Sequence, residues 1–357
     1  MKRLLALLLL AMPAAAQVPT DAYRAAFSAE TLGRPLPGPS VSNGFTMLYR
    51  GTWPHAAFAV AQDADGRGAW GIASGHSSPD AARAEAMRLC TDSARNARTG
   101  PLRAECRIVA LDGAVEGHAP IPLRMTTIGP FRASPLHYHS GPERAAGVVV
   151  WAHGYGGPDR DLRGLPVPGF ISALNNAGWD VLRFDRHPGD DALHHALPRL
   201  MQGLPLLRDY RQVVLAGQSR GGWQALLAAT LRPDLVDGIM ATAPAAHGEV
   251  EEDRGALAME DFRRHIAALP RDRPRVLMTF FEGDEFDPSP AARAAALAGL
   301  QRSAPTLALH PRGPARGHNG GTDWRFTRDF AACLLTFFNG PSIAAPRGVR
   351  REGCGGG

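Results

Sequence analysis

Six apolar runs follow one another in the last two thirds of the chain, and the stretches between them have helical periodicity. The runs are almost continuously apolar, which is typical of parallel strands buried on both faces. Strand and helix patterns in alternation predict a doubly wound, mostly parallel α/β sheet. The predicted strands are 147–154, 180–186, 212–218, 236–244, 275–283 and 306–311.

The region before this domain has a different pattern, with short strand-like segments around a single long helix. The predicted strands are 45–52, 56–62, 68–75 and 106–113. The helix follows Ser77 and Ser78, one of which is expected to cap it, because a serine hydroxyl accepts from the free N–H groups of the first turn. These elements predict a small αβ module over 44–118, ahead of a larger α/β domain over 119–340.

The two ends of the chain differ from both domains. Residues 1–16 combine Lys2 and Arg3, a short apolar run and a small-residue cleavage site, which predicts a secretory signal peptide. That run is too short to span a bilayer and no second candidate follows, so we expect a periplasmic or secreted protein without a membrane span. Residues 17–43 are predicted to be a poorly ordered linker rich in Pro and Gly, and 341–357 a C-terminal tail.

The basic net charge of +5 comes almost entirely from arginine, because Lys2 is the only lysine. No run of Arg and Lys with interleaved aromatic residues occurs, so nucleic acid is not expected as a partner. No CxxC or HExxH spacing occurs either, so no metal or other cofactor is expected.

Four cysteines form an even set in a chain that is expected to be exported, which favours disulfides. They allow three pairings. Their positions in the sequence favour Cys90 with Cys106, and Cys333 with Cys354.

The most informative motif lies where the run at 212–218 passes into a helical pattern. The sequence Gly217-Gln218-Ser219-Arg220-Gly221 has the spacing of a nucleophile elbow, a tight turn between a strand and a helix. The backbone of such a turn is strained, and the flanking glycines remove Cβ atoms that would collide with the strand or the helix. Ser219 is therefore expected at the C-terminal edge of the sheet.

A serine hydroxyl is a weak nucleophile, so it needs a base and a group that orients the base. The loop after strand 275–283 carries Asp284 and Asp287, and His318 follows the next strand. We favour Asp287 as the acid, because Pro288 beside it fits the start of a helix. Asp284 is the alternative.

With these three motifs in order, each after a predicted strand, residues 119–340 resemble an α/β-hydrolase domain. The resemblance implies that Ser219 is the nucleophile, Asp287 the acid and His318 the general base. It further implies a carboxylic ester hydrolase that works through an acyl-enzyme. A peptidase or amidase of the prolyl-oligopeptidase-like type is one alternative, and a lactone hydrolase similar to dienelactone hydrolases is another. A third is a non-catalytic, envelope-binding protein built on a hydrolase scaffold.

The segment His153-Gly154-Tyr155-Gly156-Gly157 stands where this fold supplies half of its oxyanion hole. The backbone N–H groups of Tyr155 and Arg220 are the expected donors, since glycines allow close approach to the developing oxyanion. His153 and Asp185 are expected to be structural. The Arg220 side chain is expected in a salt bridge with a nearby acid, and a contact with a substrate carboxylate is the alternative.

Two further segments leave their roles open. Residues 247–272 are amphipathic and are either a cap over the pocket or a surface helix that packs on the sheet. The αβ module resembles a small domain of unknown function found in secreted bacterial proteins, in which an Ala-rich helix ends in a cysteine. Docking or scaffolding, with contact to the envelope, is its expected role. The expected partner of the larger domain is a small ester or peptide substrate.

Overall fold

The computed structural model describes residues 20–123, 126–247, 252–339, 348–350 and 354. The signal peptide predicted over 1–16 lies outside these residues and stays a prediction. Within the described part, no helix is both long enough and apolar enough to cross a membrane.

The N-terminal module, residues 20–123, contains an antiparallel sheet in the order β2-β1-β3-β4. Its elements are α1 (Thr20–Ala26), α2 (Pro39–Asn43), β1 (Ala57–Gln62), β2 (Gly68–Ala73), α3 (Pro79–Arg95), β3 (Arg107–Leu111) and β4 (Ala114–Val115). Helix α3 packs on β1 and β2 through small buried side chains, mostly alanines. The Ser78 hydroxyl accepts from the Ala81 N–H at 3.2 Å, so the predicted cap is confirmed.

The poorly ordered linker predicted over 17–43 is wrong for its described part. Residues 20–43 contain α1, α2 and a 3₁₀ turn, and Tyr23 and Phe27 are buried in the module core. A large apolar side chain gains about 1.5–3 kcal/mol on burial. The Pro- and Gly-rich composition of the segment gives no sign of this burial. Tyr23 and Phe27 are four positions apart, so the chain directs both rings to the same side as it leaves α1.

The strand predicted over 45–52 is also wrong. Gly44–Leu48 form a π-helical turn, and Tyr49–Gly51 form a 3₁₀ turn. Phe45 and Tyr49 are four residues apart, so a helical backbone directs both rings to the same side. The rings stack with their centroids 6.0 Å apart in the module core.

Within the described ranges, the larger sheet has nine strands in the order β13-β12-β11-β10-β9-β7-β8-β6-β5. All neighbours are parallel, except that β6 is antiparallel to both β5 and β8. The strands are β5 (Thr127–Ile128), β6 (Phe131–Ala133), β7 (Val148–Ala152), β8 (Asp180–Phe184), β9 (Val213–Gln218), β10 (Gly238–Thr242), β11 (Arg275–Thr279), β12 (Thr306–Leu309) and β13 (Gly348–Arg350). Strands β7 to β12 are the six that the sequence predicts.

Helices cover both faces of this sheet, and each face has its own apolar core. They are α4 (Gly169–Asn176), α5 (Leu193–Gly203), α6 (Arg220–Leu231), α7 (Glu252–Ala267), α8 (Pro290–Ala298) and α9 (Trp324–Asn339). Buried side chains of α5, α6, α7 and α8 belong to one core, and those of α4 and α9 to the other. The predicted fold class, a doubly wound and mostly parallel α/β sheet behind a small αβ module, is confirmed.

Two disulfides are present, and they are the pairs favoured by the sequence. Cys90 of α3 is bonded to Cys106, and Cys333 of α9 is bonded to Cys354. The second bond ties the C-terminal tail, which also supplies the edge strand β13, to the last helix.

The module is fixed to α4 of the larger domain by buried polar groups. The Arg50 guanidinium donates to the side-chain oxygens of Asn175, at 2.6 Å, and of Asn176. The Ser172 hydroxyl donates to the Met47 carbonyl at 2.6 Å. Burial lowers the pKa of Arg50 to about 10, which shows that these partners hold a charge largely removed from water.

The substitution Asn175→Ala is expected to lower the free energy of unfolding by about 2–4 kcal/mol, because it leaves the buried Arg50 charge short of an acceptor and removes the side-chain bonds to the backbone of Tyr138 and Trp179. Urea denaturation measures the change. The control is Gln301→Ala, which removes an exposed amide and should stay within about 0.5 kcal/mol of the wild-type value. Equal effects of the two substitutions would contradict the anchoring role of Asn175.

Candidate active site

The turn between β9 and α6 has a strained backbone at Ser219, with φ 55° and ψ −124°. A non-glycine residue in such a conformation costs about 1–3 kcal/mol and persists only where its surroundings hold it. Here the Ser219 N–H donates to the Thr242 carbonyl of β10 at 3.1 Å. The Ser219 carbonyl accepts from Trp223 at 3.0 Å and from Ala245 at 3.2 Å.

Flanking glycines make room for this turn, as the motif predicts. A Cβ on Gly217 would lie 2.3 Å from the Gly221 carbonyl carbon. A Cβ on Gly221 would lie 2.1 Å from the Ala152 carbonyl oxygen of β7. Any side chain at either position would therefore push the turn out of the sheet.

His318 pairs with Asp284 in a buried contact. The imidazole Nδ1 is 2.8 Å from Asp284 Oδ1, and the same oxygen accepts from the Phe286 N–H at 2.9 Å. The two loops are joined by the Gly317 N–H, which donates to the Glu282 carbonyl at 2.9 Å. With Nδ1–H donating to the carboxylate, Nε2 carries the free lone pair.

The choice of Asp287 as the partner of His318 is corrected by this geometry. Asp287 Oδ1 accepts from the Ser289 N–H at 3.0 Å and lies 3.4 Å from Nε of the fully buried Arg293. Burial raises the pKa of Asp287, while the Arg293 charge opposes that rise. Asp287 is therefore the counter-ion of a buried arginine, and the sequence alternative, Asp284, is the residue that meets His318.

Ser219 and His318 line the same cavity, which has a volume of about 840 Å³. The part of the chain described shows no direct hydrogen bond between their side chains, a contact that often tightens only when substrate is bound. The Phe286 ring lies over the imidazole with the centroids 4.3 Å apart. Gln218 Nε2 donates to the His318 carbonyl at 3.1 Å and so holds the histidine loop against the serine turn.

The segment that starts at His153 lies beside the serine, as predicted. A Cβ on Gly154 would come within 3.2 Å of Ser219 Cβ and 2.3 Å of Gln218 Oε1. The next residue, Tyr155, lines the cavity and keeps 40% of its surface exposed. A glycine at 154 thus lets the backbone approach the position where an oxyanion would form.

His153 is a structural residue, held in one tautomer. Its Nδ1 lies 2.6 Å from the Gly154 carbonyl and its Nε2 accepts from the Arg186 N–H at 2.9 Å, so Nδ1 carries the proton. Burial, reinforced by the nearby Arg186 charge, lowers the pKa of His153 to about 4. The imidazole is therefore neutral at pH 7.

A buried ion pair that was not predicted from the sequence holds this segment. Arg186 Nε donates to Asp191 Oδ1 at 2.5 Å, and its Nη2 donates to the carbonyls of His153 and, at 3.2 Å, Gly154. The only signal in the sequence is an arginine two residues after the end of β8, with an aspartate five residues later. From the sequence alone, an arginine and an aspartate in a loop are expected to be exposed to solvent, and only the folded structure shows that they are buried.

Among the described residues, the Arg220 side chain does not form the salt bridge predicted for it, and the alternative contact with a substrate carboxylate stays a prediction. Nη1 donates to the backbone carbonyl of Asp191 at 3.2 Å, and the guanidinium carbon lies 3.9 Å from the centroid of the Tyr155 ring. It is thus stacked on Tyr155 by a cation–π contact instead of paired with a carboxylate. Asp185, by contrast, is structural as expected, since Arg183 Nε lies 3.1 Å from its Oδ1.

The described part of segment 247–272 favours the surface-helix alternative. Helix α7 packs on α6 and α8, with Phe262 buried against Trp223 and Phe280. Its described residues are not among those lining the cavity. Within the described ranges, no cluster of three or more His, Cys, Asp or Glu side chains has the geometry to hold a metal.

Comparison with known proteins gives only structural similarities, since no family model and no curated protein matches the chain. Est1E from Butyrivibrio proteoclasticus, solved with ferulic acid, has a TM-score of 0.41 and 15% identity over 62% of this chain and 99% of its own. An acylaminoacyl peptidase from Pyrococcus horikoshii has a TM-score of 0.42 and 13% identity over 61% of this chain and 40% of its own. These TM-scores lie below 0.5, so the similarities say nothing about activity.

The order of strands, the reversed β6 and the serine-bearing turn after the central strand β9 together define an α/β-hydrolase fold.

Lowering the pH from 7 to 4.5 is expected to destabilise the protein by about 2–3 kcal/mol through His153. The folded-state pKa is about 4 and the unfolded value 6.5, so in this interval the unfolded chain binds a proton that the folded protein does not. A group whose pKa is lowered by folding in this way makes stability fall as the pH falls. Urea unfolding at both pH values checks this.

The variant His153→Gln should lose that much less stability than the wild type over the same interval. The control His194→Gln replaces an exposed histidine and should follow the wild type. Identical pH dependence in all three proteins would contradict the buried, neutral state of His153.

Proposed function

We propose that this protein is a serine hydrolase that cleaves carboxylic esters through an acyl-enzyme. The observation that carries the proposal is the buried His318–Asp284 pair at 2.8 Å, set in the same cavity as the strained Ser219. A scaffold without catalysis has no physical need to bear a strained serine beside an oriented imidazole.

In the proposed mechanism, Ser219 Oγ attacks the ester carbonyl carbon as His318 Nε2 takes the hydroxyl proton. Asp284 accepts from Nδ1–H, fixes the tautomer and stabilises the imidazolium that forms. His318 then gives the proton to the leaving alkoxide, and the C–O bond of the ester breaks. Water, deprotonated by the same Nε2, attacks the acyl-enzyme; the acyl C–Oγ bond then breaks, Nε2 returns the proton to Ser219 Oγ, and the carboxylic acid is released.

The developing oxyanion would be held by the backbone N–H groups of Tyr155 and Arg220. Arg220 is the first residue of α6, so its N–H has no acceptor inside the helix. The Gly154 backbone lies against Ser219, which brings the following N–H close to the serine. One preorganised donor of this kind is worth about 3 kcal/mol of barrier.

Export to the periplasm or the exterior is part of the proposal. Two disulfides are present among four cysteines, and no cysteine of the chain is free. Such usage is typical of an oxidising compartment, and it agrees with the signal peptide predicted from residues 1–16.

A fluorophosphonate probe is expected to label the oxidised wild-type protein and not Ser219→Ala. Labelling requires an activated serine but no knowledge of the substrate. A second control is Ser289→Ala, which removes a hydroxyl outside the cavity and should leave labelling unchanged. A folded wild-type protein that is not labelled would contradict the proposed activity and favour a binding role.

The two candidate acids should separate under substitution by asparagine. Asp284→Asn is expected to lower kcat by about 10⁴-fold, because the imidazole is then held in the wrong tautomer. Asp287→Asn should lower kcat much less but reduce stability, because it leaves Arg293 buried without its counter-charge. Turnover of a p-nitrophenyl ester and urea denaturation report the two effects, and equal losses of kcat would refute the assignment of Asp284.

A further inference from the structure

One residue of the N-terminal module reaches the active-site cavity. The helical stretch from Pro39 to Gly51 directs Phe45 and Tyr49 into the module core, while Met47 and Arg50 contact α4. The remaining large apolar side chain, Leu48, is half-buried and lines the cavity that contains Ser219 and His318. Leu48, which lies far upstream of the larger domain in the sequence, thereby lines the candidate substrate cavity.

Leu48 shares the cavity lining with apolar residues of the larger domain. The segment after the oxyanion loop contributes Leu162, Leu165 and Pro166 to the same cavity. We call these four residues the apolar wall. The same lining also has polar residues, among them Glu285, which follows Asp284, and Asn319 and Thr322, which follow His318.

Contacts between main chains hold the two halves of the wall together. The Trp53 N–H donates to the Gly164 carbonyl at 3.0 Å. The Arg183 side chain joins the same two segments, because its Nη1 donates to the Gly51 carbonyl at 2.7 Å and to the Leu165 carbonyl at 2.9 Å. A Cβ on Gly51 would lie 2.6 Å from the Val167 backbone nitrogen, so the two backbones touch.

We propose that Leu48 is a specificity-determining residue, whose side chain contacts the apolar group of the ester substrate. The inference rests on the proposed esterase function and gives the N-terminal module a place in it. The apolar group belongs to either the acyl or the alcohol half of the ester. A cavity wall of fixed position discriminates between chain lengths because each methylene that it covers changes kcat/KM by about tenfold or more.

The test compares the selectivity of full-length variants on two ester series. In the first, the acyl chain of p-nitrophenyl esters runs from acetyl to octanoyl. In the second, the alcohol of acetate esters runs from methyl to octyl. Leu48→Asn, a polar residue of similar size, is expected to lower the kcat/KM ratio of the longest to the shortest ester about tenfold in one series. The affected series shows which half of the ester meets the wall.

Two matched variants keep the result specific. Leu48→Met keeps an apolar side chain of similar volume and should restore the wild-type ratio. Leu36→Ala removes a leucine of the same module that is 47% exposed and does not line the cavity, so both series should match the wild type.

Each outcome has one meaning. Unchanged ratios in both series with Leu48→Asn, or an equal loss on long and short esters, would overturn the role of Leu48. Fluorophosphonate labelling of Ser219 distinguishes this failure from failure of the proposed function. If the wild type is labelled and Leu48→Asn has the wild-type selectivity, only the role of Leu48 is refuted. If the folded wild type is not labelled, the proposed hydrolase function itself is refuted.

Discussion

The strained turn at Ser219 is the constraint around which the rest of the site is built. Its backbone conformation costs about 1–3 kcal/mol, and three adjacent strands together hold it. The Thr242 carbonyl of β10 accepts from Ser219, while the glycine at 221 lies against Ala152 of β7. The turn therefore cannot form without the central part of the sheet. Since the loops after β7, β11 and β12 all end at the same edge, the parallel order itself brings the remaining site residues to the serine.

Buried arginines organise the loops at that edge. Arg183, Arg186 and Arg293 are fully buried, and each donates to two backbone carbonyls, five of the six in turns or loops and the sixth, that of Ala258, in α7. Backbone carbonyls in turns and loops need such donors, because they lack the regular partners of a helix or a strand. A guanidinium offers five N–H donors in one plane and so bridges loops that a lysine ammonium could only meet at a point. The arginine-rich composition, which gives no sign of nucleic-acid binding, thus has a clear use inside the protein.

The sequence predicted the larger domain well, because continuous apolar runs and glycine spacing are local signals. Six strands, the serine turn, the histidine loop and both disulfides follow from such signals. The choice between Asp284 and Asp287 depends instead on Arg293, whose burial beside Asp287 is a property of the packed α8. The helical state of residues 44–51 likewise depends on a core that accepts Phe45 and Tyr49 together. In residues 17–43, the prolines and glycines suggested a linker, and only the burial of Tyr23 and Phe27 in the module core shows that residues 20–43 are folded.

The position of the module has a consequence for how the cavity is bounded. Helix α7, which follows β10, packs against α6 and α8, and its described residues do not line the cavity. The apolar wall comes instead from Leu48, which precedes the larger sheet in the chain, and from Leu162, Leu165 and Pro166. The contacts between these two segments are the Trp53–Gly164 backbone hydrogen bond, the direct approach of the backbones at Gly51, and the fully buried Arg183 side chain, so the backbone that carries the wall is held in place. A wall set in this way is preorganised, so little binding energy is lost in ordering it around substrate. The same contacts make the folding of the module a condition for a complete cavity, which couples the stability of the N-terminal unit to the geometry of the site.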